Sequence, residues 1–226
     1  MFHYEKAWQD VLSRIARAAE AVGRDPDSVR LVAVSKTFTA DAVRAVHALG
    51  QRDFGENYVQ ELSEKHNQLP SDIHWHFIGH LQSNKVKFII PFVHLIHGVD
   101  SLKLLKEISK QASKIGREIN CLLQIHIAEE ETKFGFDEKE LAQAMKEVEG
   151  GGFSSVRVRG LMGMASFSDD QNKVRSEFRR LKRIYDNHAG GEFNVLSMGM
   201  SGDYKIAIEE GSNMVRIGSL LFGARS

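Results

Sequence analysis

The sequence predicts an α/β chain folded as a single-domain (β/α)8 TIM barrel, preceded by an extra N-terminal helix. Three observations predict it. Eight short apolar runs alternate with longer charged stretches of helical character, the pattern of parallel β/α units. A length of 226 residues suits one large core and is short for two domains of usual size. Polar residues able to do chemistry stand directly after the apolar runs, where the βα loops of a barrel form one functional face. An open doubly wound sheet is the alternative, because a strand count from one sequence shifts easily by one or two.

Along the chain, Trp8, Val11, Leu12, Ile15, Ala16, Ala19 and Val22 recur at helical spacing, and Gly23 stops the pattern. Apolar runs then appear at Leu31–Ser35, Asp53–Gly55, Trp75–Gly79, Val93–His97, Ile119–Ile127, Val158–Met164, Asn194–Met198 and Met214–Ile217. Between them lie helix-like segments, among them Ala40–Leu49, Asn57–Gln68, Ser101–Ile115, Glu138–Val148 and Asn172–His188. Gly150-Gly151-Gly152 reads as a loop after a helix, and no repeat or linker divides residues 1–226. The residues after the eight runs are, in turn, Lys36, Glu56-Asn57, His80 with Gln82 and Asn84, Asp100, Glu129 to Lys133, Ser166, Ser201 and Gly218-Ser219.

Composition excludes several classes. Thirty basic and thirty acidic residues balance, so there is no electrostatic footprint for nucleic acid or an anionic membrane. The single cysteine, Cys121, rules out an internal disulfide framework and reads as a buried strand residue. Met1 to Lys6 lack the basic start and apolar core of a signal peptide, and no apolar run approaches membrane-spanning length. The expectation is a soluble cytoplasmic chain.

Leu31-Val32-Ala33-Val34-Ser35-Lys36-Thr37 carries the most chemistry. A buried strand there delivers a lysine to its own C-terminal end. Desolvation favours the neutral amine, the form that condenses with an aldehyde; the competing reading is a solvated lysine at a helix entrance. Ser197-Met198-Gly199-Met200-Ser201-Gly202-Asp203 and Met214 to Gly223 close the sequence around the last two runs. Glycine and serine at a strand-to-helix transition let backbone N–H groups converge on a small anion, and barrels commonly bind phosphate after their last two strands. A lysine for an aldehyde and a cradle for a phosphate point to pyridoxal 5'-phosphate.

The remaining polar residues keep two readings each. Asn57 is either a cofactor-side hydrogen-bonding group or a helix N-cap. His80, Gln82, Ser83 and Asn84 suit the functional mouth or the capping of the next helix. Lys133 is a second amine or a solvated loop charge. The ten histidines show no HExxH or Cys/His ligand spacing, so no metal is expected; His74 and His76 share a strand face without an evident carboxylate partner.

Six ordered blocks resemble the pyridoxal phosphate homeostasis proteins, the YggS/PROSC family, over nearly the whole chain. They are Val34-Ser35-Lys36-Thr37, Phe54-Gly55-Glu56-Asn57-Tyr58, His76 to Lys85, Lys133-Phe134-Gly135, Arg159-Gly160-Leu161-Met162, and Ser197 to Ser201 continuing into Met214 to Gly218. The resemblance implies a barrel similar to the N-terminal domain of alanine racemases, the fold type III of pyridoxal phosphate proteins. It implies that Lys36 carries the cofactor as a Schiff base, that Ser201, Gly218 and Ser219 hold its phosphate, and that Arg216 faces the pyridine nitrogen. Arg216 taken alone also reads as a structural arginine at a strand end.

A guanidinium does not give up its proton, so the ring nitrogen it faces stays unprotonated and becomes a weaker electron sink. The racemases also have a second domain with a catalytic tyrosine opposite the lysine. Here Thr37-Phe38-Thr39 comes after the lysine without one, and the sequence ends at Ala224-Arg225-Ser226. No catalytic residue is therefore expected. The resemblance implies a carrier that buffers the cofactor and delivers it to apo pyridoxal phosphate enzymes, as a monomer or weak dimer. The alternatives are a weak amino-acid racemase and a Schiff-base aldolase acting on a sugar phosphate.

Overall fold

The computed structural model describes residues 3–128 and 134–223. Helix α1 (Tyr4–Glu20) buries Val11, Ile15, Ala18 and Ala19, the stripe its spacing predicts, and ends in a turn through Gly23. The strands are β1 (Arg30–Val34), β2 (Asp53–Glu56), β3 (His74–Phe77), β4 (Leu95–Val99), β5 (Ile119–Gln124), β6 (Val156–Met162), β7 (Val195–Met200) and β8 (Met214–Ile217). All adjacent pairs are parallel, and β1 pairs with β8 through Arg30–Met214 to Ala33–Ile217, closing the barrel. The expected (β/α)8 class holds, and the open-sheet alternative does not.

Helices return between the strands: α2 (Ala40–Ala48), α3 (Val59–Gln68), α4 (Val86–Ile89), α5 (Leu102–Lys114), α6 (Glu138–Glu149), α7 (Gln171–Asp186), α8 (Tyr204–Glu209) and α9 (Ser219–Phe222). Their apolar faces and the outward residues of the strands make the larger core, with Phe54, Trp75, Phe77 and Phe178 fully buried. Inside the barrel Val32, Leu95, Leu122, Met162 and Met214 form a separate apolar cluster. Cys121 is buried, and burial pushes its thiol pKa up.

Several strand bounds shift from those predicted. β4 runs Leu95–Val99 rather than Val93–His97, and β6 Val156–Met162 rather than Val158–Met164. β5 stops at Gln124, short of Ile127, because the backbone beyond it leaves the barrel ladder: the His126 N–H donates to the Phe136 carbonyl. Helices α4, α8 and α9 are too short for a hydrophobic period to show.

Among the described residues no helix is long and apolar enough to cross a membrane.

Candidate functional site

Lys36 stands just past β1, after Ser35, and its backbone is held from both sides. The Ser35 N–H donates to the Gly55 carbonyl, and the Phe38 N–H donates to the Ser35 carbonyl. Thr37 between them has φ of 69°, the one positive φ at a non-glycine position among the described residues. A β-branched residue in that region is strained and needs its surroundings to hold it. The Thr37 N–H donates to Glu61 Oε1 at 2.6 Å, and the buried Lys65 ammonium donates to the Ser35 carbonyl at 2.7 Å. The same ammonium binds Glu56 Oε1 at 2.6 Å and Glu61 Oε1 at 2.8 Å.

Glu56 is fully buried at the end of β2. One oxygen accepts from Lys65 and from the Ser35 hydroxyl at 2.6 Å. The other, Oε2, is the one buried side-chain polar atom without a hydrogen-bond partner among the described residues. Burial raises the Glu56 pKa to about 7, against the lowering effect of Lys65.

Arg216 on β8 is buried in the barrel. Its guanidinium donates to the Ser197 carbonyl at 2.9 Å, the Ser197 hydroxyl at 2.6 Å and the Gly163 carbonyl at 3.1 Å. Burial lowers its pKa to about 10, so it remains a cation near neutrality. The two C-terminal glycine segments meet where the Gly218 N–H donates to Ser201 Oγ at 3.2 Å. Gly199 at the end of β7 has φ of +97°, and a Cβ there would stand 2.6 Å from Ala207 Cβ. Only glycine fits that turn.

Lys36, Asn57, Ser201, Arg216, Gly218 and Ser219 all line one cleft of about 820 Å3 at the C-terminal ends of the strands. Asn57 does not cap a helix: Tyr58 occupies the N-cap of α3 and no side chain caps it. The capping alternative is thereby corrected. Gly79 packs against this residue so tightly that a Cβ would come within 2.5 Å of the Asn57 carbonyl oxygen.

His80 lies outside the cleft lining, with Nδ1 2.9 Å from Asp100 Oδ2 and its ring stacked on Phe134. Ser83–Lys85 form a 3-10 turn leading into α4, and neither element has a side-chain cap, so capping by His80, Gln82, Ser83 or Asn84 is corrected as well. Glu129 to Lys133 lie outside the described residues.

The loop after β6 adds cleft residues that sequence reasoning passed over or only mentioned. Ser166 is locked by Glu177, its N–H and hydroxyl each donating at 2.6 Å, whereas Phe167 is 82% exposed at the rim. Asp203 also lines the cleft, and its carboxylate accepts from the Met200 N–H at 2.6 Å. A phenylalanine between two serines after the sixth run is the signal that the sequence offers for this rim.

A polar chain runs from Arg216 through the barrel interior. Ser197 Oγ stands 3.1 Å from His97 Nδ1, His97 Nε2 stands 2.9 Å from His76 Nδ1, and His76 Nε2 stands 2.9 Å from Asp53 Oδ1. With both rings neutral and carrying their protons on Nε2, every donor points from Arg216 toward the Asp53 carboxylate and each junction is satisfied. Burial lowers the pKa of both rings, that of His97 strongly. The reading of His74 and His76 as a pair without a carboxylate is corrected, since Asp53 faces both.

Residues 9–226 match the family described as alanine racemase, N-terminal domain. The pyridoxal phosphate homeostasis protein of Pseudomonas aeruginosa is 42% identical over 220 residues, spanning 95% of this chain and 93% of its own. That of Aquifex aeolicus is 40% identical over 223 residues, spanning 95% of each. The solved structure of PipY from Synechococcus elongatus with PLP bound superposes with a TM-score of 0.80 at 34% identity, covering 92% of this chain and 100% of that one. An alanine racemase from Bartonella henselae shares the fold at a TM-score of 0.68 and 16% identity, and 61% of its chain is covered. Relatives this similar along almost the whole of both chains place the protein in the pyridoxal phosphate homeostasis family, within the alanine racemase N-terminal-domain family.

Proposed function

We propose that this protein holds pyridoxal 5'-phosphate reversibly in the cleft and serves as an intracellular buffer and carrier of it. The observation that carries the reading is the convergence of Lys36, Arg216 and the Ser201/Gly218-Ser219 segments on one cleft. The donor set fits the group. An amine suits the aldehyde, a buried guanidinium with N–H capacity beyond its three acceptors suits a ring nitrogen, and hydroxyls beside glycine amides suit a phosphate. Gly202 lines the same cleft with nothing within 4 Å of where a Cβ would stand, leaving room beside Ser201. The names of the relatives and the PLP-bound PipY structure support the same reading.

When bound, the cofactor supplies an electrophilic aldehyde and an aromatic ring able to accept electrons. The chain's own residues restrict how far that chemistry can go. Lys36 offers one amine at the mouth, and the clamp around Ser35 and Thr37 fixes where that amine starts. Arg216 keeps its proton and donates rather than accepts, so a ring nitrogen facing it would stay unprotonated and the ring would be a poor sink for carbanion electrons. Retention without efficient turnover is the expected outcome, and delivery to apo pyridoxal phosphate enzymes is the proposed use.

Two measurements test this together. Loaded protein mixed with an apo pyridoxal phosphate enzyme should restore that enzyme's activity. α-Proton exchange of L-alanine and other amino acids in deuterated water should stay far below enzymatic rates, which run at roughly 1–10³ per second. Exchange at such rates would establish a racemase-like enzyme instead.

A further inference from the structure

The N-terminal end of the barrel carries a second cluster that the proposed cofactor function does not use. Asp53 opens β2, His74 opens β3, and His94 immediately precedes β4, so all three stand at the N-terminal ends of neighbouring strands. His76, two residues into β3, points to the barrel interior and reaches the same carboxylate. One donor atom from each of Asp53, His76 and His94 lies within 4.8 Å of the other two, the one such group among the described residues. His74 Nδ1 is 3.4 Å from Asp53 Oδ1, and its ring stacks on that of His94 with centroids 4.4 Å apart.

We propose that Asp53, His76 and His94 bind a divalent transition-metal ion at this end of the barrel, with His74 packed beside them and the remaining coordination position left to water. Imidazole and carboxylate together suit Zn²⁺, Co²⁺ or Ni²⁺ rather than Mg²⁺ or Ca²⁺, which take oxygen ligands. Ligand atoms about 2.0–2.2 Å from a tetrahedral ion stand roughly 3.3–3.6 Å apart. The His76–Asp53 pair at 2.9 Å must therefore open slightly and His94 must close. His94 is only partly buried, and the Asp53 side chain is 17% exposed, so the group that must move can move and an ion can enter.

His76 is the fixed ligand. Its side chain has no exposure, and its Nδ1 is held 2.9 Å from His97 Nε2. A metal-bound histidine needs a partner for its other ring nitrogen, and here that partner is already in place and itself anchored by Ser197. Coordination through Nε2 moves the His76 proton to Nδ1, so His97 must present a bare Nε2 and donate from Nδ1 to the Ser197 hydroxyl. Those two junctions reverse with no net gain or loss of protons, while Arg216 still donates to Ser197 Oγ, so the Ser197 hydroxyl accepts from both neighbours and turns its own proton elsewhere. Arg30 faces the cluster and opposes a cation, while Asp53 supplies the compensating charge.

Untagged protein, stripped with a chelator and dialysed, is titrated with Co²⁺ and followed by visible absorption, then with Zn²⁺ by calorimetry. The expected result is one Co²⁺ per chain with the absorption of a four- or five-coordinate site, displaced by Zn²⁺, and a dissociation constant tighter than about 10 µM. His94→Ala and Asp53→Asn should each weaken binding at least about tenfold. His80→Ala, at the opposite end of the barrel, should leave it unchanged. Absence of saturable one-to-one binding overturns the proposal, as does binding undiminished in the two ligand variants. If Asp53→Asn fails to fold by circular dichroism, the partly exposed His94→Ala decides alone. None of these outcomes depends on the cofactor reading.

Discussion

The Lys65 ammonium donates to the carbonyl of Ser35 at 2.7 Å, one residue before the lysine that lines the cleft. The same cation binds Glu61, which in turn accepts from the N–H of Thr37, one residue after it. A buried ion cluster thus fixes the backbone on both sides of Lys36 and holds Thr37 in its strained conformation.

Replacing Lys65 by Met should therefore act on both stability and the site. Breaking a buried pair by removing one partner typically costs about 3–5 kcal/mol, to be read from chemical denaturation at pH 7. Labelling of Lys36 by pyridoxal phosphate and borohydride should slow in the folded variant. A stable variant labelled at the original rate would show that the clamp does not position Lys36.

Glu56 should make stability fall as pH rises. Its folded pKa of about 7 lies above the ordinary value of 4.5, so the folded state keeps a proton that the unfolded chain has released. The contribution is complete below about pH 4.5 and is lost as pH rises to about 7. A shift of this size corresponds to about 3 kcal/mol at most. Glu56→Gln should flatten the difference in unfolding free energy between pH 4.5 and 7. An unchanged slope in the variant would mean that Glu56 is ionised throughout.

Lys36→Ala should abolish the visible chromophore formed with pyridoxal phosphate while leaving the melting temperature almost unchanged, because a residue at the barrel mouth contributes little packing. Borohydride reduction and peptide mapping of the parent protein should place the label on Lys36. Most of the label on Lys85 or Lys133 would refute the assignment.

Ser201→Ala removes the acceptor of the Gly218 N–H, and a side chain at Gly218 would bring its Cβ to 3.2 Å from the Val34 carbonyl oxygen. Ser201→Ala and Gly218→Val should each weaken pyridoxal phosphate more than unphosphorylated pyridoxal. Each neutral hydrogen bond contributes roughly 0.5–1.5 kcal/mol, about two- to twelvefold in affinity. Equal losses for both aldehydes, measured by fluorescence titration, would put the phosphate elsewhere.

The sequence by itself determined the barrel and the position of its cleft. A strand of a parallel barrel announces itself locally as an apolar run, and the residues directly after it are delivered to one face. Lys36, Asn57, Ser201 and Gly218-Ser219 are legible for that reason, each read from its own strand end without knowing its neighbours, whereas Arg216 lies inside the last run and is singled out only by the family resemblance. The tertiary structure alone decided the rest. His97 and Ser197 meet across 100 residues, and Asp53, His76 and His94 meet only because three strands start side by side. Lys65 sits in a charged helical stretch and becomes a buried cation only when α3 packs behind β1 and β2. Such contacts leave no period or spacing in a chain, because they are made by closing the barrel and not by any segment of it.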